Sequence, residues 1–129
     1  MDFSFTEEHR LLEQSVREWG AREIAPRIKE LDRQHRFDSD ILPQMAALGL
    51  LGISVPAKYG GAGMDYISLG LASEELEYVD TSLRVIMSVH AGLHCLSLLA
   101  WGTEAQKQQY LVPQAQGSKI ATFGLTEPA

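Results

Sequence analysis

Residues 83–101 read LRVIMSVHAGLHCLSLLAW, and how this stretch is buried decides the fold. It is apolar nearly all round, which predicts a central helix buried on every side and wrapped by the other elements. Its length and apolarity also admit a membrane span. Against that, Arg84, His90 and His94 interrupt the run and no basic cluster flanks it, so no membrane span is expected. In a central helix the small and polar positions Ser88, Gly92 and Ser97 mark close packing or a cavity.

Upstream of this stretch, Asp80 or Thr81 is the expected cap. DYISLGLASEELEY (65–78) reads as a helix with Ile67, Leu71 and Leu76 towards the core and Glu74, Glu75 and Glu77 mostly outward. GLLGISVPAKYGGAGMD (49–65) is rich in glycine and lacks helical period, which predicts a loop crossing the surface. Before it, Asp38 or Ser39 caps a helix carrying Ile41, Leu42, Met45, Ala46 and Leu48, with Gly49 as its stop. The first helix opens on a capping box from Ser4 and Glu7. Its apolar positions are Leu11, Leu12, Val16, Trp19, Ile24, Ile28 and Leu31, and Pro26 should end or kink it. Pairs Glu13/Arg17 and Glu18/Arg22 support its solvated face by a few tenths of a kcal/mol each, roughly.

Downstream, Gly102 stops the central helix and a Thr103/Gln106 capping box opens EAQKQQYLV (104–112). PQAQGS (113–118) turns the chain into KIATFGLT (119–126), which reads as a strand, clearest from Lys119 to Leu125, with no partner strand in the chain. The expected fold is all-α: an orthogonal bundle of roughly four to six helices. One β-strand follows it and would belong to a missing β domain. The expected units are a helical domain over 1–117 and the truncated start of a β domain over 118–129.

Composition narrows the function. A 129-residue chain with 45% hydrophobic residues and net charge −6 is a folded chain poorly suited to nucleic acid. A single cysteine, Cys95, excludes an internal disulfide framework and fits a reducing compartment. The N-terminus has early acids and no apolar signal region, so a cytoplasmic location is expected.

Several constellations have bland readings. His90 and His94 stand at i,i+4 without an H-E-x-x-H frame or a third ligand, and read as satisfied buried histidines; no metal is expected. YGGAGM (59–64) lacks the phosphate-loop lysine and spacing, and reads as a turn needing positive φ. Glu74, Glu75, Glu77 and Asp80 read as a solvated face. Cys95 has no basic neighbour in its turn and reads as inert core. No catalytic set follows from spacing alone.

The ordered set of words carries more than each word does. YGGAGMD (59–65), EELEYVDTSLRVIMSVHAGL (74–93) and GTEAQKQQYLVPQAQGSKIATFGLTEPA (102–129) together resemble the acyl-CoA dehydrogenase family, and FSFTEEHRLLEQSVREW (3–19) looks like that family's first helix. The resemblance implies a flavoprotein of three parts, N-terminal helical, middle β and C-terminal helical, of which this chain covers the first and the opening strand of the second. It implies FAD as cofactor and α,β-dehydrogenation of an acyl-CoA thioester, a step of fatty acid metabolism. It also implies an electron-transfer flavoprotein as acceptor and a homotetramer or dimer at full length. The catalytic base of most members lies in the C-terminal part, so no catalytic residue is expected here and the isolated chain should be inactive. Phe123, Leu125 and Thr126 match the positions that pass the flavin ring, with Phe123 where many members carry Tyr. Ile86, Val89 and Leu93 match the acyl-pocket face of the central helix, which would favour short or branched chains of a short-chain or glutaryl type. Two other readings share the pattern: a flavin monooxygenase or nitroalkane-oxidase-type relative of the same fold, and a non-catalytic helical interaction module.

Overall fold

The computed structural model describes residues 4–127; Met1 to Phe3 and the Pro128–Ala129 end of the expected second unit lie outside the described residues. Five helical rods run through the described residues. The first joins α1 (Glu7–Trp19), a π-helical turn (Gly20–Ile24) and α2 (Ala25–Arg33); the second is α3 (Ile41–Ala47) and the third α4 (Tyr66–Val79). The fourth joins α5 (Thr81–Met87), a π-helical stretch (Ser88–Cys95) and α6 (Leu96–Trp101). The fifth joins α7 (Glu104–Gln106), a π-helical turn (Lys107–Leu111) and α8 (Val112–Ala115).

Local bonds set most of the helix ends. Thr103 and Gln106 form the expected capping box, Asp80 accepts the Ser82 N–H at 3.0 Å, and Gly49 ends α3 at φ 74°. The first cap is corrected by two residues: Thr6 Oγ1 accepts the His9 N–H and His9 Nδ1 accepts the Thr6 N–H, both at 3.2 Å. That shift puts Glu7 and Glu8 in the first turn, where the helix dipole favours them. Neither Asp38 nor Ser39 caps α3, because Arg27 Nη1 draws in the Asp38 and Asp40 carboxylates at 3.4 and 3.0 Å. Of the two expected surface pairs, Glu13/Arg17 forms at 2.8 Å, whereas Arg22 turns to Glu23 instead of Glu18. Pro26 does not stop the first rod. The widened turn before it opens room for its ring, which would otherwise meet the carbonyl four residues back. Pro113 follows the turn Lys107–Leu111 in the same relation.

Burial corrects the phase of two helices. The buried face of α1 is His9, Leu12, Val16 and Trp19, which turns Leu11 to solvent. The buried face of α4 is Ser68, Leu71, Ala72, Glu75 and Leu76, which leaves Ile67 51% exposed. Glu75 can sit inside because Arg17 of α1 holds it in a fork, Nη2 at 2.6 Å and Nε at 3.1 Å. Ser68 is satisfied by Asp65, which accepts both its N–H and its hydroxyl.

The segment 49–65 runs through the core and not across the surface. Leu50, Leu51, Ile53, Val55 and Tyr59 are buried. Its backbone bears burial because the segment folds on itself: the N–H groups of Ala62, Gly63 and Met64 donate to the carbonyls of Gly52, Val55 and Ile53. Glycine is required at 61, where a Cβ would stand 2.1 Å from the Val55 carbonyl oxygen. Gly60 and Gly63 take the positive φ expected of this turn.

The central rod, Thr81–Trp101, is long and apolar enough to cross a membrane, yet it is not buried on every side. Leu83, Met87, Ala91 and Cys95 face inward, while Leu93 is 48% and Trp101 88% exposed. Positions four apart drift by about 40° per step in a straight α-helix. The wider π-helical stretch absorbs that drift, so the row stays on one side. Leu83, Met87 and Ala91 join a cluster with Leu12, Val16 and Leu76; Cys95 joins a second one with Val55, Tyr59 and Leu111. The expected strand is absent among the described residues: Ile120 to Glu127 is irregular, since a strand exists only against a partner.

Leu76 is fully buried, so Leu76→Ala should destabilise the fold by about 2–5 kcal/mol in urea unfolding, with an unchanged m-value. Asp65 is held at about 2 from an ordinary 3.8, first by the Ser68 N–H, then by the Ser68 hydroxyl and by His9. Its contribution is whole above pH 3.8 and fades as pH falls towards 2. Asp65→Ala should therefore lower Tm clearly at pH 7 and by much less at the acid end of that window.

Candidate functional site

After α8 the chain is fastened at two places. The Pro113 carbonyl accepts the Ser118 and Lys119 N–H groups at 2.9 and 3.1 Å, which turns the backbone towards the central rod. The Ala121 N–H then donates to His90 Nδ1 at 3.0 Å. His90 is completely buried and its other nitrogen, Nε2, lies 3.0 Å from the Gln114 carbonyl oxygen.

These partners fix the state of the ring. A backbone N–H only donates, so Nδ1 must present a lone pair; a carbonyl only accepts, so Nε2 carries the proton. The ring is a neutral imidazole spanning α8 and the outgoing segment. Burial holds its pKa below the usual 6.5, opposed by the Gln114 carbonyl and reinforced by His94 one turn along. The reading of His90 as a satisfied buried histidine holds.

His94 differs, because its Nε2 is buried without a partner among the described residues, at the edge of a cleft formed with Ser97, Trp101 and Tyr110. No group of three or more His, Cys, Asp or Glu side chains among the described residues stands close enough to hold a metal ion. Cys95 is buried with its thiol pushed up to about 12 by desolvation, which keeps it protonated and unreactive.

Beside the His90 link lies a cavity of about 190 Å³. One wall is Val85, Ile86 and Val89 of the central rod; the other is Ile120, Ala121 and Thr122 of the outgoing segment. The structure thus brings Ile86 and Val89 together at one apolar slot. Leu93 lies on the same side of the rod but does not line it. Phe123, Leu125 and Thr126 follow directly on the slot wall and are exposed, Phe123 by 53% and Leu125 by 78%. An apolar slot beside a segment with free backbone donors can hold an acyl chain against a flat polar-edged ring. None of the described residues that line it is an acid or a base.

Sequence reasoning missed Val85, Ile120 and Thr122 as slot residues and His90 as the link. The partners of His90 stand 24 and 31 residues away, so no local spacing announces them.

A depressed histidine keeps its full contribution to stability above pH 6.5, and this fades as pH falls below that value, because the unfolded chain then binds the proton first. Urea stability of the chain should fall through this group as pH drops below 6.5. The corresponding slope should be missing from His90→Asn.

A profile of the "Acyl-CoA dehydrogenase, N-terminal domain" matches residues 6–118. A short-chain specific acyl-CoA dehydrogenase of Clostridium acetobutylicum is 46% identical over 129 residues, covering 99% of this chain and 34% of that protein. The structure of butyryl-CoA dehydrogenase from Megasphaera elsdenii superposes with a TM-score of 0.93 at 34% identity, over 99% of this chain and 34% of that one. A glutaryl-CoA dehydrogenase from Mycobacterium smegmatis in complex with FADH2 gives 0.89 at 32% identity, over 96% of this chain and 32% of that one. The chain spans about a third of the length of the curated relatives it matches. It belongs to the acyl-CoA dehydrogenase family and carries that family's N-terminal helical domain.

Proposed function

We propose that this chain is the N-terminal part of an FAD-dependent acyl-CoA dehydrogenase acting on short acyl-CoA thioesters, with residues 1–117 as the helical domain and 118–129 opening the middle β domain. The observation that carries this reading is the slot between Ile86 and Val89 on one wall and Ile120 to Thr122 on the other. It joins the expected acyl-binding face to the segment expected to meet the flavin.

The residues present fit FAD: an aromatic at 123, an apolar residue at 125 and a hydroxyl at 126 stand on an exposed, irregular segment. FAD, when bound, supplies the acceptor for the β-hydride of the acyl chain. The chain's own residues hold and desolvate. Ile86 and Val89 receive the acyl tail, with Leu93 further along the rod outside the slot, and the apolar walls exclude water from the tail. The Thr126 hydroxyl and the backbone beside it would donate hydrogen bonds to the flavin ring and so help to hold it. No residue here is assigned as the base that removes the α-proton. An electron-transfer flavoprotein is the proposed acceptor, and a homotetramer or dimer the proposed assembly.

In the full-length protein, anaerobic addition of a short-chain acyl-CoA should bleach the flavin absorbance. Flavin that stays oxidised anaerobically, yet turns over with oxygen and a nitroalkane, would move the protein to the nitroalkane-oxidase relatives. Val89→Ala should raise the ratio of kcat/KM for a longer acyl chain over a shorter one by about tenfold, because a slot discriminates by roughly 1–3 kcal/mol per methylene.

A further inference from the structure

The outgoing segment has few polar anchors. Pro113 holds Ser118 and Lys119 through its carbonyl oxygen, and His90 holds Ala121. Among the described residues, no backbone N–H from Thr122 to Glu127 makes a further hydrogen bond. Ala121 is therefore the last fastened residue before the exposed run that contains Phe123, Leu125 and Thr126. At about 3.3 Å per residue at full extension, Phe123 lies within roughly 7 Å of that fastening and Thr126 within roughly 17 Å of it. A small rotation at Ala121 is amplified along that arm. The same link sets the width of the slot, because Ile120 to Thr122 form its second wall and His90 sits next to Val89 on the first.

We propose that His90 is a positioning residue: its imidazole fastens Ala121 and the Gln114 carbonyl to the central rod, and so fixes both the slot width and the approach of Phe123, Leu125 and Thr126 to the cofactor. This rests on the functional reading above. Histidine suits the task because it offers an acceptor and a donor on opposite sides of one rigid ring, which satisfies two part-buried backbone groups with one side chain. The π-helical stretch Ser88–Cys95 contains it, and the unfavourable geometry of such turns is commonest where a side chain must be re-aimed. Burial keeps the ring in the neutral form that this bonding needs.

Replacements can separate the two bonds. An Asn amide oxygen stands near the place of Nδ1 and can accept from Ala121; a Gln amide nitrogen stands near Nε2 and can donate to Gln114. Phe keeps the ring and neither bond. In the 15N-labelled 129-residue chain, His90 should show the Nε2–H tautomer, and the Ala121 amide should exchange at least tenfold more slowly than that of Thr122. His90→Asn should keep this protection, while His90→Gln and His90→Phe lose it. An unprotected Ala121 in the parent chain, or protection that survives His90→Phe, overturns the link.

In the full-length protein, His90→Phe and His90→Gln should shift the flavin reduction potential and blunt chain-length selectivity, whereas His90→Asn should match the parent in both. Retained flavin whose potential and selectivity do not respond to His90→Phe overturns the positioning role and leaves the dehydrogenase reading standing. A protected Ala121 in a full-length protein that binds no flavin overturns that reading, and the cofactor-positioning role with it. If His90→Phe fails to fold, His90→Gln against His90→Asn makes the same comparison, since both are polar and differ only in which bond they keep.

Discussion

The fold hangs on one row of side chains along the central rod. Leu83, Met87 and Ala91 close the cluster built by α1, α3 and α4, while Cys95, with Leu98 and Leu99 packed around it, closes the cluster under the fifth rod. Both clusters need the same helix, and each fully buried large side chain in such a row contributes about 1.5–3 kcal/mol. Four-residue spacing keeps to one side only because the turn widens between Ser88 and Cys95. His90 sits where one cluster gives way to the other, and its two hydrogen bonds go to the chain segments that leave the second.

Burying one side of the rod leaves the other open, and the open side is where the chemistry is proposed. Ile86 and Val89 are partly buried beside the outgoing segment, and Val85, Leu93 and Trp101 are exposed. An apolar face of this kind is expensive to leave in water, and in a larger flavoprotein it would be covered by substrate, cofactor or neighbouring domains. The slot is thus shaped from within by core packing and bounded from outside by Ile120, Ala121 and Thr122 of the outgoing segment.

Several features settled by contacts within about four residues were legible in the sequence, although the first capping box, Thr6 with His9, was not. The Thr103/Gln106 box, the Asp80 cap, the stop at Gly49 and the positive φ of Gly60 and Gly63 all follow from residue types that bond or bend locally. Phase was less legible. Leu11 and Ile67 each sit one position away from the buried stripe, and hydrophobicity alone does not reveal that His9 on α1, and Ser68 and Glu75 on α4, take buried positions by pairing with Asp65 and Arg17. The glycine-rich segment looked like surface because its backbone partners lie within its own fold-back, which composition does not show. At the site, Ile86 and Val89 were legible from the resemblance, while the opposite wall of the slot was not.

The sequence by itself determined which segments are helical, several of their ends, which family the chain resembles, and that its last segment would find no strand to pair with. Those properties depend on local bonding and on ordered words. Only the tertiary structure decided which side of the central rod is buried and which lines the slot, because a helix that is apolar all round carries no mark of its neighbours. Only the tertiary structure assigned His90 its partners, since a ring nitrogen bonds whatever backbone the fold brings within 3.0 Å, here groups 24 and 31 residues along the chain.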